Sequence, residues 1–221
     1  MKNILSILLF LIFMISEKSF AGLPKCTGTY DEIITCIERF AKEKDGKKIE
    51  FIKREGDSLT LKDLSYEAED KQIVDGKGDY GIKYNVTAFY PMHEISVINE
   101  SAFEHSGTVI YQHKYGRFYG VPGEIKMSPS QSTFVSFNFD IEAGFSENGV
   151  AIYAINSGEI DLMSKFSPFM FGFIDAEYLN ENEIKLTSKY LKAGELKLRE
   201  GSCILEYKHS IWQFKTFGCS E

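Results

Sequence analysis

From Tyr80 onward, apolar and polar positions alternate with a period near two in a succession of short runs, at 81–90, 94–98, 108–113, 123–127, 133–139 and 149–155, and again at 171–178, 183–188, 195–198, 203–207 and 211–217. Successive side chains of a strand point to opposite faces, so these runs, punctuated by Gly, Asn, Asp and Ser, predict about eleven short strands at roughly ten-residue spacing. The fold class that follows is all-β, a sandwich or a propeller-like stack of short antiparallel strands.

The pattern before Tyr80 is different. Thr29 with Glu32 three residues on has the spacing of a capping box, and Ile33, Cys36, Ile37 and Phe40 then share one helical face. Against a long helix stands Asp45-Gly46, a strong hairpin turn between two stretches, 37–44 and 47–53, that could pair as strands. One short N-terminal helix is expected, its C-terminal extent left open. The stretch 42–79 is charge-rich and broken by Gly46, Gly56, Gly76 and Gly78, and should hold short half-exposed strands such as 58–66.

The first residues are apolar without periodicity. Lys2 precedes an apolar run from Ile4 to Ile15, broken only by Ser6, and Ser16-Glu17-Lys18 and Ser19-Phe20-Ala21 follow. A run of about twelve apolar residues is too short for a membrane span, and the small residues at 19 and 21 suit a signal peptidase, so residues 1–21 read as a secretory signal peptide. A lipid anchor would need a small residue directly before the first cysteine, where Lys25 stands. The expected address is periplasmic or secreted, with no membrane span after processing. The organisation expected is 1–21 signal peptide, 22–79 a disulfide-clamped helix plus short strands, and 80–221 a propeller-like or sandwich domain.

The cysteines agree with that address. Cys26, Cys36, Cys203 and Cys219 all follow the cut and form an even set. Four cysteines allow three pairings, and the local one, Cys26 with Cys36 and Cys203 with Cys219, would staple each end by closing loops of about ten and sixteen residues, worth about 2–3 kcal/mol each. Zinc ligation would need closer cysteine pairs and clustered histidines. Removing Lys2, Glu17 and Lys18 takes the formal charge from −7 to −8, and no basic footprint for phosphate is concentrated anywhere, so nucleic acid is not expected as a partner. Eighteen Phe, twelve Tyr and eighteen Gly beside one Trp and five Pro favour strands and turns over helical bundles.

A resemblance enters at 121–160. Pro122-Gly123-Glu124-Ile125-Lys126-Met127-Ser128-Pro129-Ser130 precedes a strand, an acidic loop, the strand Gly149-Val150-Ala151-Ile152-Tyr153 and the turn Asn156-Ser157-Gly158. This resembles a blade of the TolB or WD-type β-propellers, in which a Ser-Pro-Asp-Gly turn leads into strands and a polar-Gly turn ends the blade. The stretch 173–188, with Asp175-Ala176-Glu177-Tyr178-Leu179 and Asn182-Glu183-Ile184-Lys185-Leu186, resembles the start of the next. Ser130-Gln131 replaces Asp-Gly, the structural Trp-Asp pair is absent, and the likeness spans about 121–190. At about forty residues per blade the chain could hold at most about five, so the resemblance implies an open or partial propeller. At the N-terminus, Cys26-Thr27-Gly28, Cys36 and a Gly-centred hairpin are similar to the lead into a degenerate MORN-type strand pair of secreted proteobacterial proteins. Neither resemblance carries over a catalytic residue.

Candidate chemistry is sparse. His93, His105 and His113 with Glu94, Glu100 and Glu104 are metal-ligand types, but no His-x-His or His-Glu-x-x-His occurs, and the gaps suit surface or edge histidines. The acidic loop 140–149 has oxygen ligands but not the EF-hand order, and the expectation is a solvated hairpin loop. Gly-x-Ser-x-Gly is absent, and no carboxylate pair can be singled out, so no catalytic residue, metal or cofactor is assigned. Two aromatic segments remain, 115–120 and 166–173. Both have the composition of binding loops, with Tyr115, Arg117, Phe118 and Tyr119 of the first as the candidate binding residues, though in an all-β protein such aromatic residues more often fill the core between sheets. The functional reading is an exported binding or interaction protein, an inhibitor or immunity-type partner of another secreted protein being one form of it, with a protein or cell-envelope component as partner. The alternative is a cell-envelope hydrolase with an acidic active site.

Overall fold

The structure is a computed structural model that describes residues 23–41, 43–44, 47–66, 68–78, 80–141, 144, 146–157, 159–168, 171–191, 197–215 and 219. The expected signal peptide therefore lies outside the described residues. The fold is mostly strand, with one short helix among the described residues.

That helix, α1, runs Tyr30–Glu38 and starts as its sequence dictates: Glu32 N–H donates to Thr29 Oγ1 at 3.4 Å, and Thr29 N–H donates to Glu32 Oε2 at 2.7 Å. Ile33 and Ile37, four apart, form its buried face. The helix stops at Glu38, so Phe40, expected on that face, falls beyond the last turn and is 40 % exposed. A disulfide joins Cys36 of α1 to Cys26 of β1 (Cys26–Thr27). The open choice after the helix resolves as helix followed by hairpin, because β2 (Glu43–Lys44) and β3 (Lys47–Lys48) pair on either side of Asp45-Gly46, which itself lies outside the described residues.

The remaining strands form four antiparallel sheets. Sheet 1 is β4 (Ile52–Glu55), β5 (Ser58–Leu61) and β6 (Lys71–Val74), in that order. The strand expected at 58–66 thus ends at Leu61, where the chain turns into a loop. Sheet 2 is β1, β7 (Lys83–Tyr90), β8 (Ile95–Ala102), β9 (His105–Gln112) and β10 (Arg117–Val121). Sheet 3 is β11 (Glu124–Met127), β12 (Thr133–Asn138), β13 (Gly149–Asn156) and β14 (Glu159–Phe166). Sheet 4 is β15 (Phe171–Asn180), β16 (Glu183–Leu191), β17 (Leu198–Lys208) and β18 (Ile211–Phe214). The runs read separately at 195–198 and 203–207 belong to the single strand β17, as far as the described residues reach. After Tyr80 two strands, β10 and β14, carry no counterpart among the expected runs, and before it neither does β1.

The sheets stack face to face in chain order, and strand alternation makes this possible. In sheet 2, Val86, Phe89, Ile98 and Tyr111 share a core with Ile33 and Ile37 of α1 and with Ile52, Leu59 and Leu61 of sheet 1. On the opposite face Ala88, Tyr90, Val97 and Ile110 pack against Ile125, Phe134, Ile155 and Ile160 of sheet 3. Sheet 3 repeats the device, because Val135, Phe137, Val150 and Ile152 point away from sheet 2 into a third core with Phe173, Ile184, Leu186, Leu205 and Trp212 of sheet 4. Fully burying each such side chain contributes about 1.5–3 kcal/mol. The stack ends on a polar face: the outer side of sheet 4 carries Lys185, Lys189, Glu200, Glu206 and Gln213, with Lys189 and Glu200 at 3.8 Å. A second disulfide, Cys203–Cys219, fixes residue 219 to the inner side of sheet 4, where Ser188 Oγ donates to the Cys219 carbonyl at 2.7 Å. Among the described residues no helix is long and apolar enough to cross a membrane.

Candidate functional site

The residues singled out in the sequence lie at one edge of sheet 2, and strand alternation divides them. Arg117 pairs with Gln112, Phe118 with Tyr111 and Tyr119 with Ile110. Arg117 and Tyr119 therefore turn toward sheet 3 and Phe118 toward sheet 1. Tyr119 joins the core between sheets 2 and 3. Tyr115 Oη donates to the Ser157 carbonyl at 3.0 Å, and Arg117 reaches Glu159 at 3.3 Å. These contacts clasp the β9–β10 turn to the β13–β14 turn. The Arg117–Glu159 pair is exposed on both sides and contributes little. Of the two readings open for 166–173, its described phenylalanines take the core one: Phe166 and Phe214 rings lie 4.9 Å apart, Phe171 and Phe173 5.6 Å apart, all at the core of sheets 3 and 4, while Phe169 and Met170 lie outside the described residues. In the acidic loop, Asp140 accepts from Gly144 N–H at 2.9 Å and Ser146 Oγ at 2.8 Å, so its carboxylate is engaged in holding the loop's own backbone.

Phe118 forms one wall of a concavity of about 390 Å³. Sheet 1 has three strands, and together with α1 it covers the β7 side of sheet 2; on the β9–β10 side Tyr111 still joins that core, while Phe118 is 45 % exposed. Ile98 and Val109, directly opposite each other on β8 and β9, make the floor. The next residue in that cross-strand row is Gly120, where a Cβ would meet nothing within 4 Å. Tyr84 and Glu100, paired on β7 and β8, line one end. The far wall is the outermost strand of sheet 1: Lys71, Gln72 and Ile73 of β6 all line the space, so the strand presents its backbone edge and not one face alone. A second depression, of about 460 Å³, lies past the end of β9 and β10, between Gly120-Val121-Pro122 and the ion-paired Glu147 and Lys165. The two depressions share Glu100 and Val109 on their rims, and the first forms a trough between sheet 2 and β6.

Beneath the trough lies a buried polar cluster. Tyr111, whose ring packs 4.6 Å from Phe118, also lies 4.8 Å from the ring of His113. His113 is fully buried, which corrects the expectation of a surface or edge histidine: it follows the last residue of β9, and the turn folds its ring back among Phe51, Phe89 and Tyr111. Its Nδ1 lies 2.6 Å from the Lys62 carbonyl, which can only accept, so Nδ1 carries the proton; Nε2 then accepts from Ser96 Oγ at 2.7 Å. Burial pushes its pKa down to about 4, against the opposing pull of the Lys62 carbonyl, Asp63 and Asp70. Asp63 is buried beside it. Burial acts to raise that carboxyl, but the Ser65 hydroxyl and N–H and the Lys71 ammonium, at 3.4 Å, outweigh it and hold it below the ordinary range. Gly116, at φ +60°, is required in the adjoining turn, since a Cβ there would overlap the Asp63 carboxylate. A serine, a histidine and an aspartate thus lie close together, and Ser96 and His113 are both closed to solvent. The cluster locks the loop 62–65 onto the β9–β10 turn; Leu64 N–H donates to the His113 carbonyl at 2.8 Å. His93, on the other side of sheet 2, is half-buried and held below its usual pKa by burial. Among the described residues no group of three or more His, Cys, Asp or Glu side chains could hold a metal ion.

Of the residues lining the trough, the sequence singled out Phe118 as a binding residue and Glu100 as a metal-ligand type. The signal it contained was glycine inside β-rich runs, Gly107 and Gly120, which lowers a sheet face where something approaches it. Compared with known protein families, characterised proteins and solved structures, the chain matches none.

Proposed function

We propose that this chain is an exported binding protein, working in the periplasm or outside the cell, that holds another protein or a cell-envelope component in the trough beside β6. The observation that carries the reading is the trough: an apolar floor of Ile98 and Val109, walled by Phe118 and left open to solvent, with Lys71 and Glu100 as the charged residues of its lining. Such concavities release water readily and suit ligands that bring apolar groups of their own. The two disulfides support an oxidising compartment. The stack is read as an open relative of the propeller. Sheets 3 and 4 are consecutive four-stranded antiparallel meanders, and Gln131, standing where the propeller turn has glycine, takes the left-handed conformation at φ +56°. A cell-envelope hydrolase would need a nucleophile or carboxylate pair within reach of substrate; Ser96 and His113 are sealed, and Asp63 is committed to Ser65 and Lys71.

The test is a photo-cross-linking amino acid introduced at position 118 in the exporting cells, with the same residue at exposed Leu179 as control. A discrete adduct from position 118 that disappears in the Val109→Asp background supports the reading. Identical adducts from both positions, or none from either, overturn it.

A further inference from the structure

We infer, resting on the reading of the trough as a binding site, that its occupant is a polypeptide in extended conformation that adds to β6 as a fourth strand of sheet 1. Sheets 3 and 4 each have four strands, but sheet 1 stops at three, and the place its next neighbour would take is the trough. β6 is the last strand of that sheet, so from Lys71 to Val74 one side of its backbone has no strand partner among the described residues. An unpaired strand edge is a row of N–H donors and C=O acceptors, and what satisfies such a row is another backbone. Few small molecules offer that repeat, and the successive residues Lys71, Gln72 and Ile73 lay the trough along the strand, a path suited to a chain.

The side chains fix the partner's pattern. In β6, Lys71 and Ile73 point inward and Gln72 and Val74 outward, Val74 being 59 % exposed. A strand beside β6 has the same alternation, so every second residue of the partner faces the floor of Ile98, Val109 and Phe118. Those positions take apolar side chains of moderate size, the room coming from Gly120. The intervening positions face solvent beside Gln72 and Val74 and are unrestricted. Antiparallel pairing is expected, because every strand pair of the fold is antiparallel among the described residues.

The probe is a displayed library of linear peptides of about ten residues, a length that spans such an edge, selected on the disulfide-bonded protein. Selected peptides should alternate apolar residues with unconstrained ones. Scanning a selected peptide with single backbone N-methyl groups should weaken binding about tenfold or more at alternate amides and leave the others nearly unchanged, since each methyl removes one ladder hydrogen bond and blocks close approach. Phe118→Ala should weaken the same peptide. If peptides bind, and Phe118→Ala weakens them, but N-methyl sensitivity has no period of two, strand addition is overturned while the trough remains a binding site. If no linear peptide is selected, or the selected ones bind Phe118→Ala unchanged, the inference fails too, and the cross-linking result at position 118 decides the broader reading independently.

Discussion

His113 is the residue whose role in this fold is least visible from its neighbours in sequence. It follows an apolar run that reads as a strand, and nothing local separates a histidine at a strand's exposed end from one folded into a core. What decides is Lys62, fifty-one residues away, whose carbonyl supplies the partner for Nδ1. A buried neutral histidine has a consequence that can be measured. Its folded pKa, about 4, lies below the ordinary value of 6.5. The unfolded chain therefore binds the extra proton first as pH falls. The contribution to stability is complete above about pH 6.5 and is lost progressively as pH drops toward 4, amounting to about 3 kcal/mol across that window. Urea midpoints at pH 7 and pH 5 should show wild type losing distinctly more stability on acidification than His113→Gln, whose amide can still donate to Lys62. Equal losses in the two proteins would mean that the ring is not held neutral. The composition of Tyr115, Arg117, Phe118 and Tyr119 marks a surface of interest, but only the register with β9 separates Phe118 from Arg117 and Tyr119, and Tyr115 lies in the turn before β10.

Elements were more legible than residues. The capping box alone located the start of α1, and period-two runs located most strands because alternation is a property of the strand itself. β14 was missed although Ile160, Leu162, Ser164 and Phe166 alternate with Glu159, Asp161 and Lys165; it follows the β13–β14 turn so closely that it reads as that turn's continuation. β10 was missed because flanking glycines and aromatic residues resemble a binding loop. Nor could alternation say that a sheet in the middle of the stack is covered on both sides. In β12, Phe134 and Phe137 are both buried yet serve different cores, whereas β16 faces a core on one side and solvent on the other. Phe134→Ala and Phe137→Ala should therefore each cost about 3–5 kcal/mol in chemical denaturation. Lys185→Ala, on the outer face of β16, should stay within about 0.5 kcal/mol. A tolerant Phe134 would mean that sheets 2 and 3 do not pack as described.

At the scale of the molecule, the question is whether a serial stack behaves as one body. The boundary expected at 79/80 falls between sheets 1 and 2, yet chain contacts cross it: β1 pairs with β7, and Arg54 donates to the Tyr84 carbonyl while holding Asp75 at 3.1 Å. Leu59 and Leu61 on one side share a core with Val86 and Ile98 on the other. In a stack where each sheet touches only its neighbours, cooperativity depends on the sheets that contribute to two cores, here sheets 2 and 3. Their strands are single rigid ladders, so losing the packing on one face loosens the other. The single tryptophan of the sequence, Trp212, reports on the far end, buried between sheets 3 and 4. Leu61→Ala, in the first core, should cost about 2–5 kcal/mol. It should shift the Trp212 fluorescence transition and the far-ultraviolet circular dichroism transition together, two cores away from the cavity it creates. A fluorescence midpoint that stays where it was, while the dichroism curve splits into two steps, would show that residues before Tyr80 unfold separately. In that event the edge of β6 would be a movable wall of the trough, and peptide affinity would follow the stability of sheet 1; with coincident transitions the edge is rigid, and the affinity of a bound strand should be insensitive to Leu61→Ala until the whole chain unfolds.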